Sequence, residues 1–161
     1  MSAEVSLNEF VEAISVGGAD VIHYLNRKSG EIRLLLREDL RIAEMDEDDD
    51  FELDESEREM AQSVREVVGS TDWLELPDAD KVGEASVVED FCRAYPDRRK
   101  REKLRRAFNG RGAFRRFKDA LVELEIERLW YRFRDKAFTR FSIEWLRERR
   151  IPFRNDLSSS R

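Results

Sequence analysis

One cysteine, one histidine and three prolines are all that 161 residues supply of these types. With Cys92 alone, neither an internal disulfide nor a thiolate metal cluster can form. With His23 alone, a histidine-rich metal site is excluded, and any Cys–His dyad or Ser-His-Asp triad would have to use that one residue. His23 falls in a β-rich run, where a lone histidine reads as structural. Apolar runs are short, and none approaches the roughly 18 residues that a membrane span needs. The opening MSAEVSLNEF lacks the basic stretch and apolar block of a secretory signal. Neither a Gly-x-x-x-x-Gly-Lys-Ser/Thr loop nor a dinucleotide fingerprint is present. These absences predict a cytoplasmic chain with no cofactor, no metal, no catalytic residue and no membrane partner. A hydrolase using paired Asp/Glu stays open, because the carboxylates are too numerous to pair without geometry.

What the chain has in abundance is charge. Asp, Glu, Lys and Arg make up 41% of it against the usual quarter, beside a hydrophobic content of 40% that still suffices for a core. The signs are segregated: residues 1–92 hold 8 Lys/Arg against 26 Asp/Glu, and residues 93–161 hold 22 against 10. Eleven of the sixteen aromatic residues lie in the basic part. Such asymmetry reads in two ways. The basic part engages an anionic partner, an acidic protein or nucleic acid, through its arginine-rich face around residues 98–118, or the two parts neutralise each other within one scaffold chain or across a homo-oligomer.

The acidic part reads as mixed α and β. Ser6 and Glu9 form a capping-box pattern, so a helix is expected from Leu7, with Phe10, Val11 and Ile14 inward and Gly17-Gly18 as its C-terminal cap. VIHYLNRKSGEIRLLL, residues 21–36, reads as two strands around a short turn. Trp73-Leu-Glu-Leu76 is a candidate third strand, which two strands alone need for stability. Between them, residues 44–57 are the densest acidic run. Asp46, Asp48, Asp50, Asp54 and Glu57 fit a calcium loop in part, but Phe51 stands where that loop requires glycine, so a solvated connection is the better reading. A helix follows over 56–68, with Met60, Val64, Val67 and Val68 as its apolar side.

The basic part reads as consecutive helices. One over 84–95 carries Val88, Phe91, Cys92 and Tyr95 on a single face, and Pro96 stops it. The next, capped by Asp97, turns Leu104, Ala107 and Phe108 inward and seven Lys/Arg elsewhere, ending at Asn109-Gly110. After Gly112, the spacing of Phe114, Phe117, Leu121 and Leu124 marks the seam of an amphipathic helix. A last helix over 127–150 places Trp130, Phe133, Ala137, Phe141 and Trp145 on its inner stripe.

One stretch breaks a local rule. Helices favour acidic residues in the first turn, because unpaired amides leave positive charge there. NGRGAFRRFKDAL does the reverse, crowding Arg111, Arg115 and Arg116 at a helix start, with Lys118 close behind. An incoming anion would relieve the conflict, received by amides after Gly112 and by arginine forks. Carboxylates of residues 44–59 or 119–127 would relieve it internally. Arg111, Gly112, Arg115, Arg116 and Lys118 are therefore the candidate anion-binding set.

Gly110-Arg-Gly-Ala-Phe-Arg-Arg-Phe-Lys-Asp119, Trp130-Tyr-Arg-Phe-Arg-Asp135 and Trp145-Leu146 together resemble a bacterial uncharacterised protein family, numbered 0158. Tyr24-Leu25, Gly30-Glu31 and Trp73-Leu-Glu-Leu-Pro77 are similar to it in order and spacing, so the resemblance spans roughly residues 7–152. It implies a small bacterial protein with no established activity and transfers no catalytic residue. The expected fold is α+β: a small N-terminal antiparallel sheet with helices, then a helical C-terminal part with an aromatic core. Residues 1–152 are expected to form a single domain, with 153–161 as a flexible tail.

Overall fold

The structure, a computed structural model, describes residues 3–16, 19–45 and 47–157, with backbone alone for residues 47, 49 and 50. The expected cap at Gly17-Gly18 and the Asp46 of the calcium pattern lie outside the described residues. The fold is α+β, with a three-stranded antiparallel sheet near the N-terminus and an aromatic cluster in the helical C-terminal part.

Strand β1 (Val5–Ser6) leads directly into α1 (Leu7–Ser15). The Ser6 hydroxyl accepts the Glu9 N–H at 3.1 Å, the N-cap half of the expected capping box. Its own proton goes elsewhere, to Asp156 Oδ2 at 2.6 Å, while Asp156 Oδ1 accepts the Asn8 N–H at 2.9 Å. The chain end is thus fastened to the start of α1. Strand β5 (Phe153–Arg154) pairs in parallel with β1, Val5 opposite Phe153, and Leu157 packs on the core. Of the segment expected as a flexible tail, residues 153–157 have a strand partner for part of their backbone and a helix end for their aspartate.

The hairpin of β2 (Val21–Asn26) and β3 (Ile32–Leu36) forms as the turn chemistry predicts, and β4 (Trp73–Glu75) joins on the other side of β2, giving the order β3-β2-β4. Arg33 joins this sheet to α2 (Glu55–Val68): it donates to Glu66 at 3.1 Å and to the Ser63 carbonyl at 3.3 Å, and stacks over Trp73 at 4.5 Å. Beneath it, Leu35, Val64 and Val67 form a small separate core. Met60 and Val68, read as part of the apolar side of α2, are exposed, and Ala61 is buried instead. The seam is rotated because α2 is covered on one side only, by the sheet and by the 3₁₀ segment Arg37–Glu44. A second 3₁₀ segment, Glu47–Glu52, carries the acidic run and leaves Phe51 72% exposed.

After the short α3 (Ala79–Val82) come α4 (Glu84–Ala94), α5 (Arg98–Ala107), α6 (Ala113–Glu123) and α7 (Glu127–Glu148). Their core is aromatic. Phe91 meets Trp130 and Phe133, each at 5.4 Å, and Phe117 meets Trp130 edge-on at 5.0 Å. Phe10 of α1 lies 5.3 Å from Trp145. Burying each such ring contributes about 1.5–3 kcal/mol, more where edge-to-face geometry adds to it. Helix α7 departs from the expected stripe: Phe138, Ser142 and Leu146 are buried with Trp130 and Trp145, whereas Phe133, Ala137 and Phe141 are only partly so. It packs against α1, α4 and α6 at once, so its buried arc is wider than one stripe. Ser142 fits that interior because its hydroxyl bonds the Phe138 carbonyl at 2.7 Å.

Candidate anion-binding site

Helices α5 and α6 form a hairpin closed by residues 108–112. Asp97 caps α5 through the Lys100 N–H at 3.1 Å, and Leu104 anchors it to the core. Phe117, Ala120 and Leu121 bury the inner face of α6, while Phe114 stays 39% exposed, its ring 5.0 Å from Phe108. Lys103 and Glu123 tie the two helices together at 2.6 Å.

The turn depends on glycine at two places. Gly110 (φ 70°) and Gly112 (φ 73°) both occupy the left-handed region that side chains disfavour. A Cβ on Gly112 would also stand 3.3 Å from the Arg116 guanidinium. The path they impose turns three carbonyls toward one point, and Arg116 fills it. Its Nε donates to the Ala107 carbonyl at 3.2 Å, one terminal nitrogen to that of Arg111 at 2.6 Å, and the other to that of Asn109. Ala107 is the last residue of α5. Arg116 therefore sits over a helix C-terminus, where a cation is favourable, and only its Cα belongs to the start of α6.

The candidate set thus divides. Gly112 is the N-cap of α6 and offers no side chain to its amides. Arg116 is exposed, but its guanidinium is taken up by backbone carbonyls. Arg111, Arg115 and Lys118 are exposed, and among the described residues none has a carboxylate partner. Of the expected internal partners, Glu123 holds Lys103 and Glu57 accepts the Asp54 N–H, and among the described residues none of the others pairs with Arg111, Arg115 or Lys118.

The arginine-rich face expected around residues 98–118 takes in α5 as well. Arg98, Arg99, Lys103 and Arg106 line one hollow with Glu102. Arg93, Arg98, Arg101 and Arg105 line another, between α4 and α5, with Glu89 and Glu102. Cys92 floors this second hollow, almost fully buried, and burial pushes its thiol upward, with Arg105 pulling the other way. A thiol so held is protonated and a poor nucleophile. His23 belongs to a different hollow with Glu75 and Asp78. Burial lowers its pKa, Glu75 lies 3.9 Å from Lys81, and Asp78 caps α3 through the Lys81 N–H at 2.9 Å. Among the described residues no group of three or more His, Cys, Asp or Glu is placed to hold a metal ion, and no helix is long and apolar enough to cross a membrane.

A helical protein with a small sheet and a cationic helical hairpin is what these elements define. Residues 4–161 match the uncharacterised protein family UPF0158, and the chain belongs to that family. The match runs past residue 152 and takes in the fastened chain end. No curated protein and no solved structure matches it.

Proposed function

We infer that the chain is a cytoplasmic, non-enzymatic binding protein whose α5–α6 hairpin engages the phosphate backbone of a nucleic acid. One observation carries this reading: Arg98, Arg99, Arg106, Arg111, Arg115 and Lys118 are exposed on one hairpin, and among the described residues none has a carboxylate partner. Surface cations of a chain this acidic have carboxylates to spare, yet these are left for an outside anion. Of the hairpin's rings, Phe108 and Phe117 are turned to the core and Phe114 is partly exposed, so contacts fall chiefly on phosphates and sequence preference is weak. An acidic protein surface is a second occupant of the same face, favoured by the net charge of −6, which repels long nucleic acids.

Salt titration tests the reading. Each phosphate contact contributes about 0.9 to the slope of log affinity against log salt, so Arg111→Gln with Arg115→Gln should lower the slope for RNA by about 1–2. An unchanged slope at unchanged affinity rejects this face. Retention of an acidic protein without retention of RNA selects the second occupant.

A further inference from the structure

Helix α7 carries a basic face of its own. Arg128, Arg132, Lys136 and Arg140 recur at every fourth residue, all exposed, and among the described residues none makes an ion pair. They border an open groove of about 890 Å³, whose apolar lining comes from Val11 of α1, Tyr131, Ile143 and Leu157. Only Asp135 and Glu144 place negative charge along it.

The same chain carries a segment of complementary character. Residues 47–57 contain eight carboxylates and no basic residue. Asp48, Glu52 and Glu55 are exposed there, around the 72% exposed ring of Phe51. Among the described residues, no ion pair joins segment and groove within the chain. Among the described residues, every ion pair of a basic residue beyond position 92 is with Glu84, Asp90, Glu102, Glu123, Glu148 or Asp156. The dimensions agree as well. Arg128 to Arg140 spans about 18 Å of α-helix, and a 3₁₀ segment of six residues extends about 12 Å before the first turn of α2 adds to it.

We propose that the α7 groove is the docking surface for a second copy of this chain. Residues 47–57 of that copy lie along it, Phe51 on the apolar lining and the carboxylates against Arg128, Arg132, Lys136 and Arg140. The two surfaces differ, so the contact is heterologous, and each molecule offers one of each kind. Charge carries much of the attraction, so the association weakens as salt rises. The face is distinct from the α5–α6 hairpin and stands or falls without it.

The test is sedimentation of the full chain over a concentration series at low and high salt. Three proteins are run beside the wild type: a groove variant, Arg132→Glu with Lys136→Glu; a segment variant, Phe51→Ser with Glu52→Lys; and the hairpin variant, Arg111→Gln with Arg115→Gln. All the changed side chains are exposed, and circular dichroism checks that each variant is folded. The wild type should self-associate at low salt, and the groove and segment variants should each do so at least about a hundredfold more weakly. Their equimolar mixture should form a one-to-one dimer that grows no further, since one partner keeps the groove and the other the segment. The hairpin variant should associate like the wild type. A wild type that stays monomeric, a mixture that stays monomeric, or association indifferent to both variants overturns the proposal. So does a monomeric wild type whose groove binds a fatty-acid probe, which would assign the groove to an anionic amphiphile.

Discussion

Replacing Arg116 by glutamine separates two accounts of the same arginine. By position it stands at the start of α6, where a cation costs about 0.3–1 kcal/mol. By geometry it closes three carbonyls at the end of α5, and a hydrogen bond from a charged donor contributes about 1.5–3 kcal/mol where water is excluded. This clamp is exposed, and the freed carbonyls can turn to water, so the three bonds together contribute near the lower end of that range or a little above it. Setting the relief against the loss leaves Arg116→Gln destabilised by about 0.5–1.5 kcal/mol. For a chain of this length that is a melting shift of about 1–6 °C. Arg111→Gln with Arg115→Gln removes no such bond and relieves the same dipole, so its melt should hold or rise slightly. Thermal and urea melts at low salt, run with RNA retention on the same proteins, decide the matter. The expected pattern is a loss of stability with near-normal retention for Arg116→Gln, and the converse for the double variant. An Arg116→Gln protein that melts at or above the wild-type temperature would refute the clamp.

Other parts of the structure make sharper or simpler demands. Phe117 is 1% exposed and touches Phe91, Phe108 and Trp130, so Phe117→Ala should cost about 3–5 kcal/mol in urea titration, and a loss under 1 kcal/mol would mean the aromatic cluster is not the main support. Asp156 is held below the usual carboxylate range, first by the Ser6 hydroxyl and then by the Asn8 N–H. Its stabilisation is therefore complete above the unfolded-state pKa near 4 and lost as pH falls through the lower folded value. Asp156→Ala should accordingly melt below wild type at neutral pH, with the gap closing in acid; a gap independent of pH would contradict this. A fragment of residues 1–92 leaves Phe10 without Trp145 and Phe91 without Phe117 and Trp130, and it should show no cooperative unfolding by calorimetry. A cooperative transition would mean that the acidic part is an independent unit.

The legible elements were those whose signals are local. Ser6, Asp97 and the Asn26–Gly30 turn act within a few residues, and each does what its spacing announces. Phe117 and Leu121 follow the same logic one turn at a time. What escaped depends on partners distant in the chain. Asp156 reaches α1 across 150 residues, and no pattern near position 156 names that partner. Met60 lost its place in the core because the cover of α2 comes from another element, the Arg37–Glu44 segment. Arg116 is the instructive case. The dipole rule concerns the helix that contains its Cα, whereas the guanidinium extends back to the helix before. Two left-handed glycines in a five-residue link were the available clue, since they fold preceding carbonyls to within an arginine's reach.

That case bears on why the charges are arranged as they are. The clamp shows that a surface arginine can be engaged wholly by backbone, so unusual placement of a cation is not by itself a site. The contrast with its neighbours carries the weight: Arg111 in the turn and Arg115 in the first turn of α6 are exposed, and among the described residues neither has a carboxylate partner. Stability does not require them there. Exposed ion pairs contribute about 0–1 kcal/mol each, whereas the aromatic interior contributes several times that per ring. The fold can therefore leave cations on α5, α6 and α7 without carboxylate partners among the described residues at small cost to itself. A layout that stability neither needs nor forbids is free to serve association. Its segregation by sign, acid beside the sheet and base along the helices, gives such association a direction.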